Sequence, residues 1–407
     1  MDLRNFPDGM TSYERVEERR SLIEKELDID LLATQIDQTK LGSAEENNCE
    51  QMFGHIPLPV GLAGPLKIIF SNEEETTVHL PLATTEGALV ASVNRGCKTL
   101  EKAGGVRTSS CHVGMTRSLA FKSQNSDRST AALREEIEQK NADWKHVGEA
   151  TSNHLKIMQY DIDEVDDHLF LTIACDTDEA MGMNMVTIAA QAIGDWLVEH
   201  VEELELVTIA GNVDSDKKPS KRTYEKGRGW SVIAEATLPF SVIEDVLKTT
   251  PEKLLKTSHA KLEIGSNLAG AIGANLHAAN VIAALYLATG QDAAHVVEGS
   301  LADTTITAAE IHESHLRVSV RCPAILVGVR GGGTSLPAQK QCLDLLLGRE
   351  TRNQPLDNAQ DREPGTGLHP CQKLSEIIGA AVLAGEISLL AAQATQTLAK
   401  SHKKLAR

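Results

Sequence analysis

Patterns of apolar and polar residues divide the chain into alternating stretches of predicted strand and helix. Runs rich in β-branched and apolar residues predict strands at residues 77–80, 169–175, 204–210, 231–236, 303–311 and 315–322. Apolar residues at helical spacing predict helices at residues 13–28, 86–96, 131–145, 185–203, 240–249, 251–262, 266–289, 375–399 and from Pro337 onward. Helices and strands therefore alternate along most of the chain, and the sequence shows no internal repeat.

Two stretches break this pattern. Residues 54–66 contain three prolines and three glycines, which forbid a regular helix and predict a rigid extended segment. Residues 118–208 form a βαβ-like package with more polar helices, which indicates an inserted domain. A polar stretch at residues 350–370 is typical of a mobile loop.

Composition narrows the classes of function. The 407 residues suffice for two or three domains, and 41% apolar with 24% charged residues is ordinary for a soluble globular protein. The net charge of −17 and 3% aromatic content argue against nucleic acid or an anionic membrane as the main partner. Seven scattered cysteines without C-x-x-C pairs indicate reduced thiols in the cytoplasm rather than a disulfide framework or a metal site.

No apolar signal segment is evident at the N-terminus. The window from Ala269 to Gly290 carries no formal charge, but it is rich in alanine and contains Asn275 and His277. Small residues of this kind favour a tightly packed core helix, so we do not predict a membrane span there.

The loop at residues 211–219, between two predicted strands, carries the triplet Asp216-Lys217-Lys218. Taken alone, the triplet is typical of a solvated charge cluster on a surface loop. A second interpretation is that Asp216 orients a charged Lys217 toward negative charge that develops on an oxygen.

Other candidate motifs are equally open when considered one at a time. The Met-rich residues 178–185 fit a core stretch, and three glycines at residues 331–333 fit an ordinary loop or a phosphate-binding turn. Gly290 is a plausible helix stop that would leave Asp292 at a corner. His402, near a charged C-terminus, is typical of a solvated tail residue.

Taken together and in this order, these motifs resemble the 3-hydroxy-3-methylglutaryl-CoA (HMG-CoA) reductase family. The resemblance extends from about Cys49 to His402 and is to the class that includes the eukaryotic and many archaeal enzymes. Its signatures lie at residues 57–65, 81–96, 180–185, 211–229, 290–294 and 331–334.

The resemblance implies an α+β fold with a large domain around a long central helix, which would be the Ala/Gly-rich helix at 266–289. An inserted small α/β (ferredoxin-like) domain at 118–208 would bind the cofactor, and a helical N-terminal arm would cover 1–50. The large domain would comprise 51–117 and 219–407, with a C-terminal flap, and residues 209–219 would form the connecting catalytic loop. Family active sites lie at a dimer interface, usually in tetramers.

The resemblance also implies a two-step hydride reduction of HMG-CoA to mevalonate, with release of CoA. Lys217 would stabilise the oxyanion that forms at the thioester carbon. Glu86, in a buried corner near other carboxylates, would act as a general acid, and Asp292 would hydrogen-bond between Lys217 and Glu86. His402 would protonate the departing thiolate from a mobile flap.

Substrate and cofactor contacts follow from the same resemblance. Basic and polar groups are expected around the HMG moiety at Arg117, Asp216, Lys218, Lys261 and Asn280, and around CoA at Ser92, Arg95 and Lys98. Nicotinamide contacts are expected at Glu179, Ala180, Met181, Gly182, Met183, Asn184, Gly331, Gly332, Gly333 and Thr334.

Three positions depart from the family pattern. Glu179 stands where Asp is usual, and Ser152-Asn153 occupies the place of a Ser-Arg pair that contacts the 2′-phosphate of NADPH in many relatives. Arg330 precedes the glycine run and is a candidate for the missing positive charge. We expect NADPH as the cofactor, with NADH as the alternative.

Two other functions stay open at this point. The same residues would serve an enzyme that oxidises mevalonate for catabolism, since residues do not fix the direction of flux. A non-catalytic acyl-CoA-binding paralogue is the second alternative, although it would be expected to lose at least one of the four catalytic residues. The predicted partners are HMG-CoA, CoA, NADPH and further copies of the chain, in the cytoplasm.

Overall fold

A computed structural model describes residues 1–124, 128–308, 314–348 and 367–396 of the chain. His402 and most of the predicted polar loop at 350–370 lie outside the described residues, as does the end of the strand predicted at 303–311.

Strands and longer helices are numbered here in chain order. The strands are β1 (Val60–Ile69), β2 (Glu75–Ala83), β3 (Val106–Ser123), β4 (Lys156–Val165), β5 (His168–Asp176), β6 (Leu204–Thr208), β7 (Gly229–Pro239), β8 (Asp303–Ala308) and β9 (His315–Ile325). The helices are α1 (Ser12–Leu27), α2 (Leu89–Lys102), α3 (Thr130–Gln139), α4 (Asn141–Glu149), α5 (Met183–His200), α6 (Lys221–Lys226), α7 (Pro251–Ser258), α8 (Ala278–Thr289), α9 (Pro337–Leu347) and α10 (Pro370–Ala394).

Most predicted elements are present, with shifted ends. Helix α1 begins with a capping box in which the Thr11 hydroxyl accepts from the Glu14 N–H and the Glu14 carboxylate accepts from Thr11. The helix predicted from residue 86 begins at Leu89, because Ala88 has a left-handed backbone. Strands β3 and β4 were not predicted.

The long strand β3 joins two parts of a mixed sheet. Its first half pairs with β7 from Arg107 to Gly114, and its second half pairs with β5 from Met115 to Lys122. The larger part runs in the order β2-β1-β3-β7-β9-β8. At the change of partner lies Gly114, where φ is 91° and a Cβ atom would lie 3.0 Å from the carbonyl oxygen of Cys175, so a side chain there would be strained.

Two apolar cores lie on either side of this change of partner. One packs α2, α8 and α10 against the larger part of the sheet, and the other packs α3, α4 and α5 against β3, β5 and β6. A third, small core around Val16 fixes α1 to the segment that follows it. The fold is therefore a mixed α/β arrangement with separate cores.

The long buried helix is α10, not the Ala/Gly-rich segment at 266–289. Within the described residues, α10 is the helix long and apolar enough to cross a membrane, but 83% of its apolar window is buried inside the protein. Such burial is typical of a core helix. Two buried glutamates within α10, Glu376 and Glu386, bind neighbouring chain segments through hydrogen bonds.

The predicted extent of the helix at 266–289 was wrong. A short helical turn ends at Ala269, and α8 begins only at Ala278. Gly270 and Gly273 adopt positive φ values of 66° and 84°, and the Glu386 carboxylate binds the N–H groups of Leu276 and His277. The segments predicted as helices at 240–249 and 251–262 are not α-helical throughout, because π-helical turns form at Ile243–Leu247 and His259–Gly265.

Candidate active site

The loop at 211–219 brings Lys217 to the turn after helix α8. Lys217 Nζ lies 2.7 Å from Asp292 Oδ2, and the two side chains are 43% and 33% exposed. Lys217 has a left-handed backbone with φ 58°. A charged amino group is thus presented to an open surface with one carboxylate beside it.

Helix α8 ends at Gly290, as predicted, with φ 72°. Asp292 then accepts a hydrogen bond from the Ala294 N–H at 3.0 Å and caps the turn that follows. A Cβ atom on Gly290 would lie 2.3 Å from the carbonyl oxygen of Gly333. This close backbone contact places the glycine run beside the Asp292 turn.

The surroundings of Asp292 favour its ionised form. Partial burial alone would raise the pKa of Asp292, but the hydrogen bonds from Lys217 and Ala294, with the nearby His295 ring, outweigh it and leave the pKa below its usual value. The Lys217–Asp292 pair is therefore a charged ion pair at neutral pH.

Beneath the loop lies a buried network centred on Arg228, whose side chain is 1% exposed. Its Nη1 atom lies 2.8 Å from both Asp216 Oδ1 and Glu298 Oε1. His295 Nδ1 lies 3.3 Å from the same Glu298 oxygen. Ligand atoms of Asp216, His295 and Glu298 lie within 4.8 Å of one another, a spacing that suits a cation, and the Arg228 guanidinium already occupies that position.

Arg117 reaches the same loop from strand β3. Its Nη1 atom lies 3.3 Å from Asp214 Oδ2 and 4.0 Å from Asp216 Oδ2. Burial raises the pKa of Asp214 despite the nearby arginines. For Asp216, burial is outweighed by Arg228, and its pKa lies below the usual value. Arg117 and Asp216, both predicted to contact the HMG moiety, thus belong to one charged cluster.

Glu86 differs from its prediction. It is exposed rather than in a buried corner, and its backbone N–H donates to the Thr84 hydroxyl at 2.9 Å. Within the described ranges, no hydrogen bond or ion pair connects Glu86 to Lys217 or Asp292. Among the described residues, the predicted bridge by Asp292 is therefore made to Lys217 only.

Glu86 lies instead on a cleft of about 410 Å³ between α2, α8 and α10. Ser92, Arg95 and Asn280, all predicted to bind substrate, line the same cleft. Arg95 donates to the hydroxyl and the carbonyl of Ser388 at 3.0 and 2.5 Å. The cleft therefore combines a carboxylate, a guanidinium and an amide.

Three predicted basic residues lie on the surface. Lys98 and Lys261 are exposed, on α2 and on the π-helical turn after α7. Lys218 is exposed as well, and its Nζ atom donates to the Asp216 carbonyl at 3.0 Å. None of these three lines the cleft that contains Glu86.

The two predicted cofactor motifs contact each other. The carbonyl of Glu179 accepts hydrogen bonds from the N–H groups of Val329 and Arg330 at 2.8 and 3.2 Å. A Cβ atom on Gly328 would lie 2.5 Å from the Met181 nitrogen. Arg330 forms an ion pair with the carboxylate of Glu179. The residue that departs from the family pattern at 179 thus binds the arginine that precedes the glycines.

Within the motif at 180–184, Met183 is buried and its sulfur accepts from Arg228 at 3.1 Å, whereas Asn184 is exposed. Ser152 and Asn153 lie on the turn before β4, where the Ser152 hydroxyl accepts from the His154 N–H. The residue that follows them, His154, contacts the segment just before the cofactor motif. Its Nδ1 atom lies 3.0 Å from Asp178 Oδ2.

Sequence reasoning missed the groups beneath the loop. Arg228 was read as part of a Gly-rich link, and His295 and Glu298 were not considered. Their signal was weak but present, since a histidine and a glutamate occur within the otherwise apolar run at 293–299. Buried charge of this kind is expected only where it is paired.

Nearly the whole chain is similar to known proteins. Residues 15–407 match the family model described as hydroxymethylglutaryl-coenzyme A reductase. The chain is 39% identical over 395 residues to the 3-hydroxy-3-methylglutaryl-coenzyme A reductase of Pyrococcus horikoshii, covering 96% of this chain and 91% of that one. It is 40% identical over 374 residues to the reductase of Halobacterium salinarum, covering 89% and 85%.

Dictyostelium discoideum reductase 2 is 39% identical over 359 residues, covering 88% of this chain and 65% of its own. Among solved structures, the class II reductase from Streptococcus pneumoniae bound to NADPH superposes with a TM-score of 0.65 at 20% identity, covering 92% of this chain and 96% of that one. That likeness supports the fold.

Proposed function

The chain belongs to the hydroxymethylglutaryl-coenzyme A reductase family, and we propose that its Lys217–Asp292 pair is the electrostatic centre of the reaction. The activity is the reduction of HMG-CoA to mevalonate with release of CoA. In total, two hydrides and two protons are added, the carbon–sulfur bond breaks and the thioester carbon becomes a primary alcohol. The observation that carries the proposal is the 2.7 Å contact between Lys217 Nζ and Asp292 Oδ2.

Lys217 supplies positive charge at the oxygen of the substrate. Hydride addition turns the thioester carbonyl oxygen into an oxyanion, and a fixed ammonium group stabilises that charge more than it stabilises the neutral carbonyl. Asp292 pairs with the ammonium group of Lys217 and restricts its side chain. Because both groups are partly exposed, substrate can approach the ammonium group directly.

Glu86 serves as the proton donor to the oxyanion, and a second copy of the chain completes the site. Two observations support this arrangement. Glu86 is exposed and has no contact with Lys217 among the described residues, so one copy alone leaves the two groups unconnected. The segment after Lys261 exposes Ile264, Leu268 and Ile272 by 55%, 87% and 40%, an apolar surface that suits an interface. A dimer, or a tetramer built from dimers, is the proposed assembly.

The residues around the glycine run fit a nicotinamide dinucleotide. Gly331 and Gly332 adopt φ values of 74° and 52°, and nothing lies within 4 Å of where their side chains would be. Helix α5 begins at Gly182 without a capping side chain, so N–H groups of its first turn are available to an anion. When bound, the cofactor supplies the hydride.

We assign NADPH as the cofactor. Arg330, 32% exposed beside Glu179, is the nearest candidate for a contact with the 2′-phosphate. The remaining substrate roles stay as the resemblance implies. They comprise Arg117, Asp216, Lys218, Lys261 and Asn280 at the HMG moiety and Ser92, Arg95 and Lys98 at CoA. His402, outside the described residues, is proposed as the proton donor to the CoA thiolate.

The finer classification is proposed on sequence identity. Archaeal and Dictyostelium reductases are 39–40% identical to the chain, against 20% for the class II enzyme of Streptococcus pneumoniae, which supports the class of eukaryotic and archaeal enzymes. The inserted cofactor domain at 118–208, the arm at 1–50 and the large domain at 51–117 and 219–407 are proposed with it. The two apolar cores and the change of partner along β3 support that division. A cytoplasmic location is proposed on composition.

One assay tests the proposal and its alternatives. Purified protein is incubated with HMG-CoA and either NADPH or NADH, and then with mevalonate, CoA and the oxidised cofactors, with identification of the products. We expect HMG-CoA-dependent oxidation of NADPH with a higher kcat/KM than for NADH. A preference for NADH would contradict the cofactor assignment and favour mevalonate oxidation, and absence of turnover in both directions would favour a non-catalytic binder.

A further inference from the structure

The buried residues His295 and Glu298 lie beneath both halves of the Lys217–Asp292 pair. Neither side chain has measurable exposure. The backbone N–H of Lys217 donates to Glu298 Oε1 at 2.7 Å, and His295 Nε2 lies 3.8 Å from Asp292 Oδ2. The two residues also contact each other, since His295 Nδ1 lies 3.3 Å from Glu298 Oε1. One small unit therefore touches the backbone of Lys217 and faces the carboxylate of Asp292.

The ring of His295 faces a carboxylate oxygen from each nitrogen. A neutral imidazole donates from one nitrogen and accepts at the other, whereas the charged ring donates from both. A lone pair directed at either carboxylate would be repelled. His295 Nε2 is buried and has no hydrogen-bond partner at its present distance from Asp292. The geometry fits a ring that carries a proton on each nitrogen.

The charges around the ring agree with this state. Three carboxylates lie near the ring. They belong to Asp216 on the loop, to Asp292, which precedes His295 in the chain, and to Glu298, which follows it. Two cations contact these carboxylates directly, Lys217 at Asp292 and Arg228 at Asp216 and Glu298. A charged His295 balances three negative charges with three positive ones.

A tyrosine beside this cluster is neutral. Burial raises the pKa of the Tyr286 hydroxyl on α8, and that hydroxyl accepts a hydrogen bond from the Leu326 N–H. Asp214 and Arg117 lie on the far side of Asp216 and pair with each other. The balance of charge at the ring therefore depends on His295.

We propose that His295 and Glu298 are positioning residues for the reduction described above. His295, protonated on both nitrogens, directs the Asp292 carboxylate toward Lys217, and Glu298 fixes the left-handed backbone from which the Lys217 side chain projects. This inference rests on the proposed function of the Lys217–Asp292 pair. Neither residue touches the substrate.

The test replaces His295 by glutamine, which donates a hydrogen bond but carries no charge. We expect His295→Gln to lower kcat for HMG-CoA reduction by roughly 10- to 100-fold, because small misplacement of a reacting group costs about that much. KM for HMG-CoA should stay within about threefold, since no substrate contact is removed. The acid limb of the kcat–pH profile should move to higher pH, because Asp292 loses a positive charge that lowers its pKa.

A matched control separates charge from packing. Ile282 on α8 is fully buried and packs against Gly299, next to Glu298. Ile282→Val loosens the same region and leaves every charge in place. We expect it to lower Tm without moving the acid limb.

A second measurement does not depend on turnover. NMR of ¹³C,¹⁵N-labelled histidine, in the full-length protein, reports whether both ring nitrogens of His295 carry a proton. We expect a doubly protonated ring in the wild type at neutral pH and its loss in Glu298→Gln. If the wild type does not reduce HMG-CoA, the proposed function fails and the positioning role fails with it, whereas the ring signal still shows whether His295 is doubly protonated. An active wild type with a neutral His295 ring, or a His295→Gln variant with unchanged kcat and pH profile, would overturn it.

Discussion

At the scale of single residues, burial determines which of the seven cysteines can react. Burial raises the pKa of Cys97, Cys175 and Cys322 to about 12, and it also raises the pKa of Cys371. Cys49 and Cys111 are exposed. Because the thiolate is the reactive form, the buried thiols should be inert in the folded protein.

We therefore expect a thiol reagent such as DTNB, at mildly alkaline pH, to modify Cys49 and Cys111 rapidly in the native protein. Cys342, of intermediate burial, should follow more slowly. The other four should react only after denaturation, when all seven become available. Mass spectrometry of labelled peptides locates the sites. Labelling of Cys371 at the rate of Cys111 would show that its contact with the Glu179 carbonyl is not maintained.

The chemical roles of residues could be predicted from sequence where the residues belong to a recognisable motif. They could not be predicted where burial determines the role. The Asp-Lys-Lys triplet and Asp292 were found because several motifs occurred in one order, and the structure brings Lys217 and Asp292 together. Glu86 was placed in a buried corner, although it is exposed in one copy of the chain. Arg228, His295 and Glu298 were missed because burial is a property of the folded chain.

At the scale of elements, helix α10 determines where the candidate cleft lies. Its Glu386 accepts hydrogen bonds from the N–H groups of Leu276 and His277 at 2.7 and 2.8 Å and from the Thr304 hydroxyl at 2.7 Å. A carboxylate at this position also complements the N-terminus of α8. The segment that it binds carries Asn280, which lines the cleft.

Glu386→Gln should therefore raise KM for HMG-CoA and destabilise the protein, because an amide NH₂ group would face backbone donors. We expect a loss of roughly 1–3 kcal/mol in the free energy of unfolding, the usual cost of an unsatisfied buried group. Denaturant unfolding and steady-state kinetics measure the two effects.

Glu376→Gln is the matched control at the other end of α10. Glu376 is also fully buried and accepts from Ser71, Thr108 and Ser110. It should lose similar stability with KM unchanged, since its partners are remote from the cleft. Equal KM values in both variants would contradict a positioning role for Glu386.

The same helix shows what periodicity can and cannot reveal. The helical pattern at 375–399 was predicted, but the resemblance led us to assign the central helix to 266–289. Two glycines with positive φ and a carboxylate from α10 interrupt it. A glutamate that lies more than one hundred residues away in sequence cannot be inferred from local pattern.

At the scale of the whole molecule, the proposed active site requires more than one copy of the chain. Leu268 is 87% exposed between the partly exposed Ile264 and Ile272. We expect wild-type protein to be a dimer or larger by light scattering, and Leu268→Asp to shift it toward the monomer with loss of turnover. Burying an aspartate in an apolar contact is costly.

Val165→Asp provides the control for that experiment. Val165, at the end of β4, is 57% exposed and lies outside the proposed interface. It should leave both the assembly and the activity unchanged. A monomeric wild type with full activity would show that one copy contains a complete site.

The fold at this scale was partly predictable. A mixed fold of helices and strands followed from the sequence pattern and the resemblance, whereas the inserted unit at 118–208 stays a prediction. The continuity of β3 across the two parts of the sheet could not be predicted, because a strand that changes partners has no distinct sequence period.

The rate of HMG-CoA-dependent NADPH oxidation in Lys217→Ala, relative to wild type, tests the central claim most directly. Removal of the ammonium group should lower kcat by about 100- to 1000-fold, the usual effect of losing one oxyanion-stabilising donor. Lys218→Ala, one residue away and exposed, is the control and should mainly affect KM. Lys217→Ala with an unchanged melting curve and near-wild-type kcat would contradict the account.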